Sequence, residues 1–474
     1  MQIPLLSIIP YIPADVNEQI RQIVIFYRDK TALPGIGYRE KNRKGLRIIE
    51  TLKIGARGPS VALLQTALQR AGAFTGTADG IFGEQTRQAV MRFQSRNGLT
   101  PDGIAGPKTQ EALMPYMVGF RRHTVMRGDT FYRVAKRYGT TVQAVASANP
   151  AVHPNRLQIG QILVIPLGFP VVSANIPLSS EIMALYIQGL AARYPFLRTG
   201  SIGASVMGRQ IPFIAIGTGA TEIFYNGAHH ANEWITALLL LRLCESYADA
   251  VAAGRNFYGQ NAAAMAAQTT LYVVPMVNPD GVDLVTGALT GGSYYERAVA
   301  IANDYPQIPF PDGWKANISG VDPNLSYPAE WERAREIKFA QGYTTPAPRD
   351  YVGSAPLEAP ESRAVYDFTR MRNFQLSISW HTQGEVIYWQ FLNIRPPRAE
   401  AIGTALAAAS GYELAETPYE SSFAGYKDWF LQQFNRPGYT VEAGQGENPL
   451  PLTQFPKIYA DNLGIFALGM RLGG

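Results

Sequence analysis

The chain has 474 residues, 46% hydrophobic and 17% charged, a composition typical of globular proteins and unlike that of disordered or fibrous ones. This length predicts about three domains, and the longest apolar runs fall well short of the roughly 18 residues that cross a bilayer, so we expect no membrane span. The single cysteine excludes intramolecular disulfides and cysteine-rich zinc sites, which leaves histidines and carboxylates as metal ligands.

Charge is distributed unevenly along the chain. Residues 1–170 contain 22 Lys and Arg against 10 Asp and Glu, whereas the remainder contains 20 against 27. A basic surface suits an anionic polymer such as nucleic acid, teichoic acid or peptidoglycan, although a merely solvated basic surface explains the charge equally well. Because the chain has no nucleic-acid-binding motif, we expect no nucleic-acid partner.

Residues 1–50 match no pattern that we can name, and we predict an N-terminal extension of unknown role. An apolar stretch begins at Ile3, but no Lys or Arg precedes it and Pro4 and Pro10 interrupt it. A secretory signal has a basic start and an unbroken apolar stretch. We therefore predict no secretory signal peptide, which leaves the export route open.

An internal repeat marks residues 51–117. The pattern Asp-Gly-Ile-x-Gly-x-x-Thr begins at Asp79 and again at Asp102, and each copy precedes apolar residues at helical spacing. We expect each Asp-Gly pair to form a tight turn and each Thr to cap the following helix, in a small all-α domain. The duplicated motif resembles the peptidoglycan-binding helical domain of many wall hydrolases, which implies peptidoglycan as a partner.

Residues 121–167 have the pattern of a βααβ module. Gly128-Asp129-Thr130 offers capping oxygens for a helix, Asn149-Pro150 follows a second helical stretch, and 162–166 close the segment as a strand. This order of motifs resembles the LysM module, which implies binding to glycans that contain N-acetylglucosamine. Residues 167–175 are predicted to be a linker.

From about residue 175 the pattern changes to apolar runs that alternate with helical stretches. This alternation predicts an α/β domain over 175–474 with a mixed, largely parallel sheet and a site at the strand ends. The predicted strands include 211–216, 223–226, 271–275 and 374–379, and predicted helices lie near 235–253 and 398–410.

A candidate metal-binding pattern follows the predicted strand 223–226. His230 and Glu233 are three residues apart, close enough to bind one ion from a turn at the strand end. This spacing alone is weak evidence, since chance copies are common. His381, directly after the strand 374–379, is the remaining histidine of this domain that could supply a third ligand. Two histidines and one glutamate are a common catalytic zinc set that leaves one position for water.

Three further motifs follow in order: Asn278-Pro279-Asp280-Gly281, the stretch 320–324, and Thr440-Val441-Glu442. Together with the histidine and glutamate pattern, they resemble the zinc carboxypeptidase family over about residues 175–474. The resemblance implies a zinc-carboxypeptidase-like α/β fold, with a mixed sheet flanked by helices, preceded here by the all-α domain and the βααβ module.

The resemblance also implies roles for individual residues. His230, Glu233 and His381 match the ligands of one Zn²⁺ ion. Glu442 matches the general base that takes a proton from the attacking water and returns it to the leaving amine. Asp322 matches the carboxylate that orients the first histidine ligand.

Other matches depart from the family pattern. Lys315 stands where an Arg stabilises the oxyanion, and it keeps the charge without the bidentate fork. Asn324 matches a substrate-binding residue, but Leu325 replaces the neighbouring Arg that grips a C-terminal carboxylate. Lys427 matches the base of the specificity pocket and favours a carboxylate-bearing side chain. Tyr419 matches the mobile tyrosine that covers the substrate.

These departures, with the stretches 227–234, 381–385 and 442–449, resemble one branch of the family. That branch is the γ-D-glutamyl-L-diamino acid (meso-diaminopimelate) endopeptidases, which cut the stem peptide of peptidoglycan. We therefore predict a zinc peptidoglycan hydrolase, located in the cell wall or the spore and held there by two binding modules. The alternatives are a zinc carboxypeptidase, with Asn324 and Lys427 in place of the missing Arg, and a non-catalytic wall-binding protein.

Overall fold

The structure, a computed structural model, describes residues 50–473. The predictions made for residues 1–49 lie outside the described part of the chain. Three regions follow one another: a small helical domain, a βααβ module and a large α/β domain. Between residues 50 and 473 no helix combines the length and the apolar character needed to cross a bilayer.

The helical domain contains a buried hydrogen-bonding unit that occurs twice. Its helices are α1 (Pro59–Arg70), α2 (Glu84–Arg96) and α3 (Pro107–Val118). The side-chain amide of Gln65 in α1 donates to Asp79 at 2.8 Å and to Thr86 at 3.0 Å. Gln94 in α2 makes the same pair of bonds, at the same two distances, to the Asp and Thr of the second repeat, Asp102 and Thr109.

The prediction that the repeated threonines cap helices is wrong. Helix α2 begins at Glu84 with Gly83 as its cap residue, and Thr86 lies inside the first turn, where its hydroxyl is buried. A capping side chain would have to lie one residue before the helix. Each copy of the repeat instead supplies an Asp and a Thr that accept hydrogen bonds from a buried glutamine. These bonds join each turn to the preceding helix.

The second region has the predicted βααβ order. It consists of β1 (Phe120–Thr124), α4 (Phe131–Tyr138), α5 (Val142–Ala148) and β2 (Ile162–Pro166), with β1 and β2 paired antiparallel. Thr130 caps α4 as predicted, because its hydroxyl accepts a hydrogen bond from the backbone N–H of Arg133 at 3.1 Å.

The third region is built on an eight-stranded mixed sheet. The strands of this region are β3 (Arg198–Ala204), β4 (Gln210–Ile216), β5 (Thr221–Gly227), β6 (Asn256–Phe257), β7 (Gln260–Asn261), β8 (Thr269–Val274), β9 (Phe374–His381), β10 (Val386–Tyr388), β11 (Glu413–Ala415) and β12 (Gly438–Glu442). Strands β6 and β7 form a separate two-stranded hairpin, and the other eight strands form the sheet. The order in the sheet is β11-β10-β12-β9-β5-β8-β4-β3. The four central strands are mutually parallel, and β10, β4 and β3 run antiparallel to a neighbour.

Helices cover both faces of this sheet. They are α6 (Ser180–Arg193), α7 (Ile235–Ala253), α8 (Ala262–Gln268), α9 (Pro279–Val285), α10 (Ser293–Asn303), α11 (Trp331–Ala340), α12 (Pro360–Arg370), α13 (Ala399–Ser410), α14 (Tyr426–Phe434) and α15 (Phe455–Leu472). Consecutive residues of β5 enter opposite cores, as the alternation of a strand requires: Tyr225 packs with α7 and α15, and Phe224 with α12 and α14.

The two N-terminal regions pack directly on the α/β domain. The C-terminal end of α3 approaches α6 so closely that a Cβ on Gly189 would lie 2.2 Å from the carbonyl oxygen of Val118. In the βααβ module, Gln143 and Ser147 of α5 donate to the carbonyl groups of Ala253 and Ala252 at the end of α7.

Residues 167–175 connect the modules to the α/β domain, but they are not a free linker. Val171 and Val172 are buried, and their backbone N–H groups donate to the Glu245 carboxylate at 2.6 and 3.1 Å. Arg70 of the helical domain donates to the Pro170 carbonyl at 2.7 Å. The apolar valines and the buried carboxylate therefore hold in place the segment that was predicted to be a linker.

We expect Glu245→Ala to lower the free energy of unfolding by about 3 kcal/mol, because it leaves two buried N–H groups without their acceptor and removes the ion pair to Arg193. Chemical denaturation followed by tryptophan fluorescence would measure the loss. Glu336→Ala is the control, since it removes an exposed ion pair to Arg333 and should cost less than about 1 kcal/mol. Equal effects of the two substitutions would contradict this account of the interface.

Candidate metal centre and active-site cleft

The candidate site lies where the carboxyl ends of three neighbouring parallel strands meet, the edge at which α/β sheets bind ligands. Strand β5 ends at Gly227, which pairs with Trp380 of β9. Strand β9 ends at His381, which pairs with Glu442 at the end of β12. The sheet register therefore brings together residues that are far apart in the sequence.

The turn after β5 is fixed by two polar side chains. The Thr236 hydroxyl donates to the Glu233 carbonyl at 2.8 Å and accepts from the Ala228 N–H at 2.9 Å. The Asn278 amide donates to the His229 carbonyl at 3.2 Å and to the Ala316 carbonyl at 2.9 Å. These bonds hold the turn in place next to the loop that carries Lys315.

Three buried side chains converge on one point. The Nδ1 atom of His230 lies 2.9 Å from Oε1 of Glu233, and Nδ1 of His381 lies 2.9 Å from Oε2 of the same carboxylate. The two Nδ1 atoms are 3.1 Å apart, and the ligand atoms of all three residues lie within 4.8 Å of one another. Two imidazole nitrogens and one carboxylate are the donor set that zinc accepts in catalytic sites, so these residues fit the ion.

The remaining nitrogen of His230 faces a second carboxylate. Its Nε2 lies 3.2 Å from Oδ1 of Asp322, an oxygen that also accepts from the Asn324 N–H at 3.0 Å. Burial disfavours the charged imidazole, but Glu233 and then Asp322 outweigh burial and raise the pKa of His230 to about 9. Asp322 is thus positioned to fix the tautomer in which Nδ1 is free to bind a metal.

Because Asp322 accepts a hydrogen bond from the Nε2–H group of His230, we expect Asp322→Asn to weaken zinc affinity about 10- to 100-fold. Competition with a fluorescent zinc chelator would measure this change. Asp367→Asn on α12 is a matched control outside the cleft and should leave zinc affinity unchanged. Wild-type zinc affinity in Asp322→Asn would contradict the orienting role.

Glu442 and Lys315 lie beside the three convergent side chains. Burial, and then the negative charge of Glu233, raise the pKa of Glu442 to about 8, while Lys315 and His230 act in the opposite direction. The Lys315 Nζ atom lies 3.7 Å from Oε1 of Glu233. The site therefore places a cation near a carboxyl group whose raised pKa suits acid–base catalysis.

The raised pKa predicts how the stability of the metal-free protein depends on pH. Between the ordinary glutamate pKa of 4.5 and about 8, Glu442 keeps its proton when folded and loses it when unfolded. Unfolding then releases a proton, so the free energy of unfolding attributable to Glu442 falls as pH rises through this range. Denaturation in a chelator should show Glu442→Gln gaining stability relative to wild type between pH 5 and pH 8. A constant difference would contradict the raised pKa.

The site opens into a cleft of about 1280 Å³. Asn324, Leu325 and Lys427 all line it, as do Lys315 and Glu442. Leu325 also packs against the aromatic core under α14.

Lys427 is buried, and its ammonium group has three partners: Asp428 at 2.7 Å, the Gln390 carbonyl at 2.6 Å and the Thr417 hydroxyl at 3.2 Å. Its place in the cleft agrees with a role in substrate binding, which stays a prediction.

Tyr419 lies at the surface near the cleft, in a short 3₁₀ helix (Tyr419–Ser421). Its side chain is exposed, and its hydroxyl accepts a hydrogen bond from Nε of Arg333 at 2.8 Å. Its neighbours Pro418 and Ser421 line the cleft, whereas Tyr419 itself does not. Covering the substrate would require the ring to turn inwards, so this role stays a prediction.

The structure shows three supporting residues whose roles were not predicted from the sequence. Asn278 belongs to a recognised motif, but its bonds to two loops could not be read from the motif. Glu361 is buried and accepts from the Asn317 amide at 2.9 Å, which anchors the loop after Lys315. Asp350 donates its backbone N–H to Asp322 at 3.4 Å and pairs with Lys338 at 2.8 Å. Glu361 and Asp350 had no recognisable spacing in the sequence.

The families that this chain matches agree with the observed fold and with two histidines and one glutamate as candidate metal ligands. Residues 183–464 match the zinc carboxypeptidase model, and the chain belongs to this family, which uses zinc. Residues 57–113 match a putative peptidoglycan binding domain, and residues 123–166 match the LysM domain. The wall-binding modules indicate association with the cell wall.

Two curated relatives are similar to more than half of this chain. The chain is 44% identical to γ-D-glutamyl-L-diamino acid endopeptidase 1 of Lysinibacillus sphaericus over 60% of this chain and 70% of that protein. It is 36% identical to the uncharacterized protein YqgT of Bacillus subtilis over 57% of this chain and 71% of that protein. Among solved structures, carboxypeptidase A of Helicoverpa armigera superposes with a TM-score of 0.48 at 16% identity, covering 83% of this chain and 87% of that one.

Proposed function

We propose that this chain is a zinc-dependent peptidoglycan hydrolase that cleaves the bond between γ-D-glutamate and meso-diaminopimelate, or another L-diamino acid, in the stem peptide. The observation that carries the proposal is Leu325, which lines the cleft where the family resemblance implies an arginine for a C-terminal carboxylate. A leucine cannot pair with that carboxylate, whereas an internal peptide bond does not require the pair. The 44% identity to a relative named for this activity supports the same substrate.

The proposed mechanism assigns the ion to His230, Glu233 and His381. When bound there, zinc polarises the scissile carbonyl and lowers the pKa of water to about 7. Glu442 takes the proton of the attacking water and returns it to the leaving amine, a task that suits a carboxyl group of raised pKa. Lys315 supplies positive charge for the oxyanion that forms at the carbonyl carbon.

Lys427 and Asn324 are proposed to contact the diamino acid on the leaving-group side. Asn324 lies next to the site, with its side-chain Nδ2 3.5 Å from Nε2 of His381. The charge of Lys427 is partly offset by Asp428, so a substrate carboxylate would take the place of the weaker contact to Thr417.

The two N-terminal modules are proposed to keep the enzyme on its polymer, with the glycan on the LysM module and the stem peptide in the cleft. Tethering of this kind raises the local substrate concentration without altering the site. The proposed location is the cell wall or the spore, outside the cytoplasm.

A second candidate is a zinc carboxypeptidase that acts on free peptides or released muropeptides. It is favoured by Asn324 and Lys427, which line the same cleft and could together hold a terminal carboxylate. A non-catalytic wall-binding protein is disfavoured by the half-buried Glu442 of raised pKa beside three convergent metal-ligand side chains.

Digestion of purified sacculi with the zinc-loaded protein tests the proposal. We expect mass spectrometry to find glycan fragments whose stems end at D-glutamate, and no such fragments after treatment with a chelator. Release of terminal D-alanine alone would favour the carboxypeptidase, and unchanged sacculi would favour the binding protein.

A further inference from the structure

A second cationic group lines the cleft, apart from the one at Lys427. Arg349 and Lys338 both line the cleft and share the carboxylate of Asp350. The Lys338 Nζ atom lies 2.8 Å from one Asp350 oxygen, and Nε of Arg349 lies 2.6 Å from the other. The cluster of Lys338, Arg349 and Asp350 therefore carries two positive charges and one negative charge.

Arg349 has donors to spare for a ligand. Its hydrogen bond to Asp350 uses Nε, and among residues 50–473 no bond from its two terminal nitrogens accompanies it. Its side chain is 41% exposed, in contrast to the 10% of Lys338. The guanidinium therefore presents two N–H-bearing nitrogens to the cleft, a geometry that suits a carboxylate.

The position of Arg349 relative to the reacting groups is fixed by its neighbours. The Pro348 carbonyl accepts hydrogen bonds from the N–H groups of Lys315 at 2.8 Å and Ala316 at 2.9 Å. The Asp350 N–H contacts Asp322, the carboxylate behind His230. Arg349 thus lies on the Lys315 flank of the site, whereas Lys427 is held by Gln390 and Thr417.

We infer that Arg349, backed by Lys338 and Asp350, binds the free α-carboxylate of the residue that contributes the scissile carbonyl. The inference rests on the proposed function, in which Lys315 faces the oxyanion and Lys427 faces the leaving diamino acid. A group on the Lys315 flank then belongs to the acyl side of the bond. In a γ-linked glutamyl peptide the acyl residue keeps its α-carboxylate, and an ordinary α-linked peptide has no anion at this position.

Two synthetic tripeptides test the inference: L-Ala-γ-D-Glu-meso-diaminopimelate, and the same peptide with the α-carboxylate of D-Glu converted to a carboxamide. We expect wild type to prefer the carboxylate in kcat/KM by about 10- to 100-fold, the range of a hydrogen bond to a charged group. Arg349→Ala should lose this preference, mainly through KM of the carboxylate peptide, and should cleave the carboxamide peptide as wild type does.

The variants separate binding from structure. Arg349→Ala leaves Asp350 paired with Lys338, so zinc content and melting temperature should stay at wild-type values. Arg349→Lys should restore part of the preference, and Arg363→Ala, which removes a surface arginine bonded to the Leu357 carbonyl, should not alter it.

Three outcomes would overturn the inference and leave the proposed function standing. They are equal kcat/KM of wild type on the two peptides, an equal loss of kcat/KM on both in Arg349→Ala, and no recovery of the preference in Arg349→Lys. Failure of wild type to cut either peptide at the γ-glutamyl bond would overturn the proposed function, and this inference with it.

Discussion

A Glu442→Gln variant should retain its zinc and hydrolyse stem peptides about 10²- to 10⁴-fold more slowly than wild type, the usual contribution of a general base. The amide has nearly the shape of the carboxyl group but cannot accept the proton of the attacking water. Because Glu442 is proposed to act on water and not on the ion, the loss should fall on kcat, and KM should change little.

Zinc content by atomic emission and steady-state kinetics on the same preparation would measure both properties. Glu447→Gln, a carboxylate that also lines the cleft, is the matched control and should keep most of the activity. A Glu442→Gln variant that contains zinc and keeps full activity would refute the mechanism.

Replacement of His381 should have a comparably large effect through the metal itself. His381→Ala removes one of three convergent donors. We therefore expect zinc affinity to fall by more than the roughly 100-fold that follows replacement of a residue hydrogen-bonded to a metal ligand. Activity at stoichiometric zinc should disappear and recover in part when excess zinc is supplied. The exposed His153 of the LysM module is the control, because His153→Ala should change neither property. Tight zinc binding in His381→Ala would show that the ion is held elsewhere.

Much of the α/β fold was predictable because its strands carry clustered or alternating apolar residues between helical stretches. The predicted strand 374–379 is the beginning of β9, and the predicted helix 235–253 is α7. Strands β10 and β11 were missed because three residues are too few to establish a periodicity. Strand β12 was not predicted as a strand, since five residues before a polar loop carry little pattern, and only the motif that ends at Glu442 was noted there.

Errors arose where one side chain has two common uses. A threonine near a helix start can cap the helix or bond within the core. Thr86 bonds within the core because of Gln65, which lies in another helix 21 residues earlier in the chain. The same limitation applies to 167–175, whose valines indicate a packed segment only when Glu245 of α7 is known to face them.

The candidate metal ligands were recognisable because each belongs to a local motif at a strand end, where the fold brings distant segments together. The groups that shape substrate choice have no such motif. Arg349 and Lys338 lie on separate elements and meet through Asp350, a pairing that depends on the fold of the loop after α11.

Cleavage of the tetrapeptide L-Ala-γ-D-Glu-meso-diaminopimelyl-D-Ala by the zinc-loaded protein tests the central claim most directly. Mass spectrometry should detect the two dipeptides L-Ala-D-Glu and meso-diaminopimelyl-D-Ala, and neither should form in the Glu442→Gln variant. Release of free D-alanine, with the γ-glutamyl bond intact, would contradict the proposed endopeptidase and identify the chain as a carboxypeptidase.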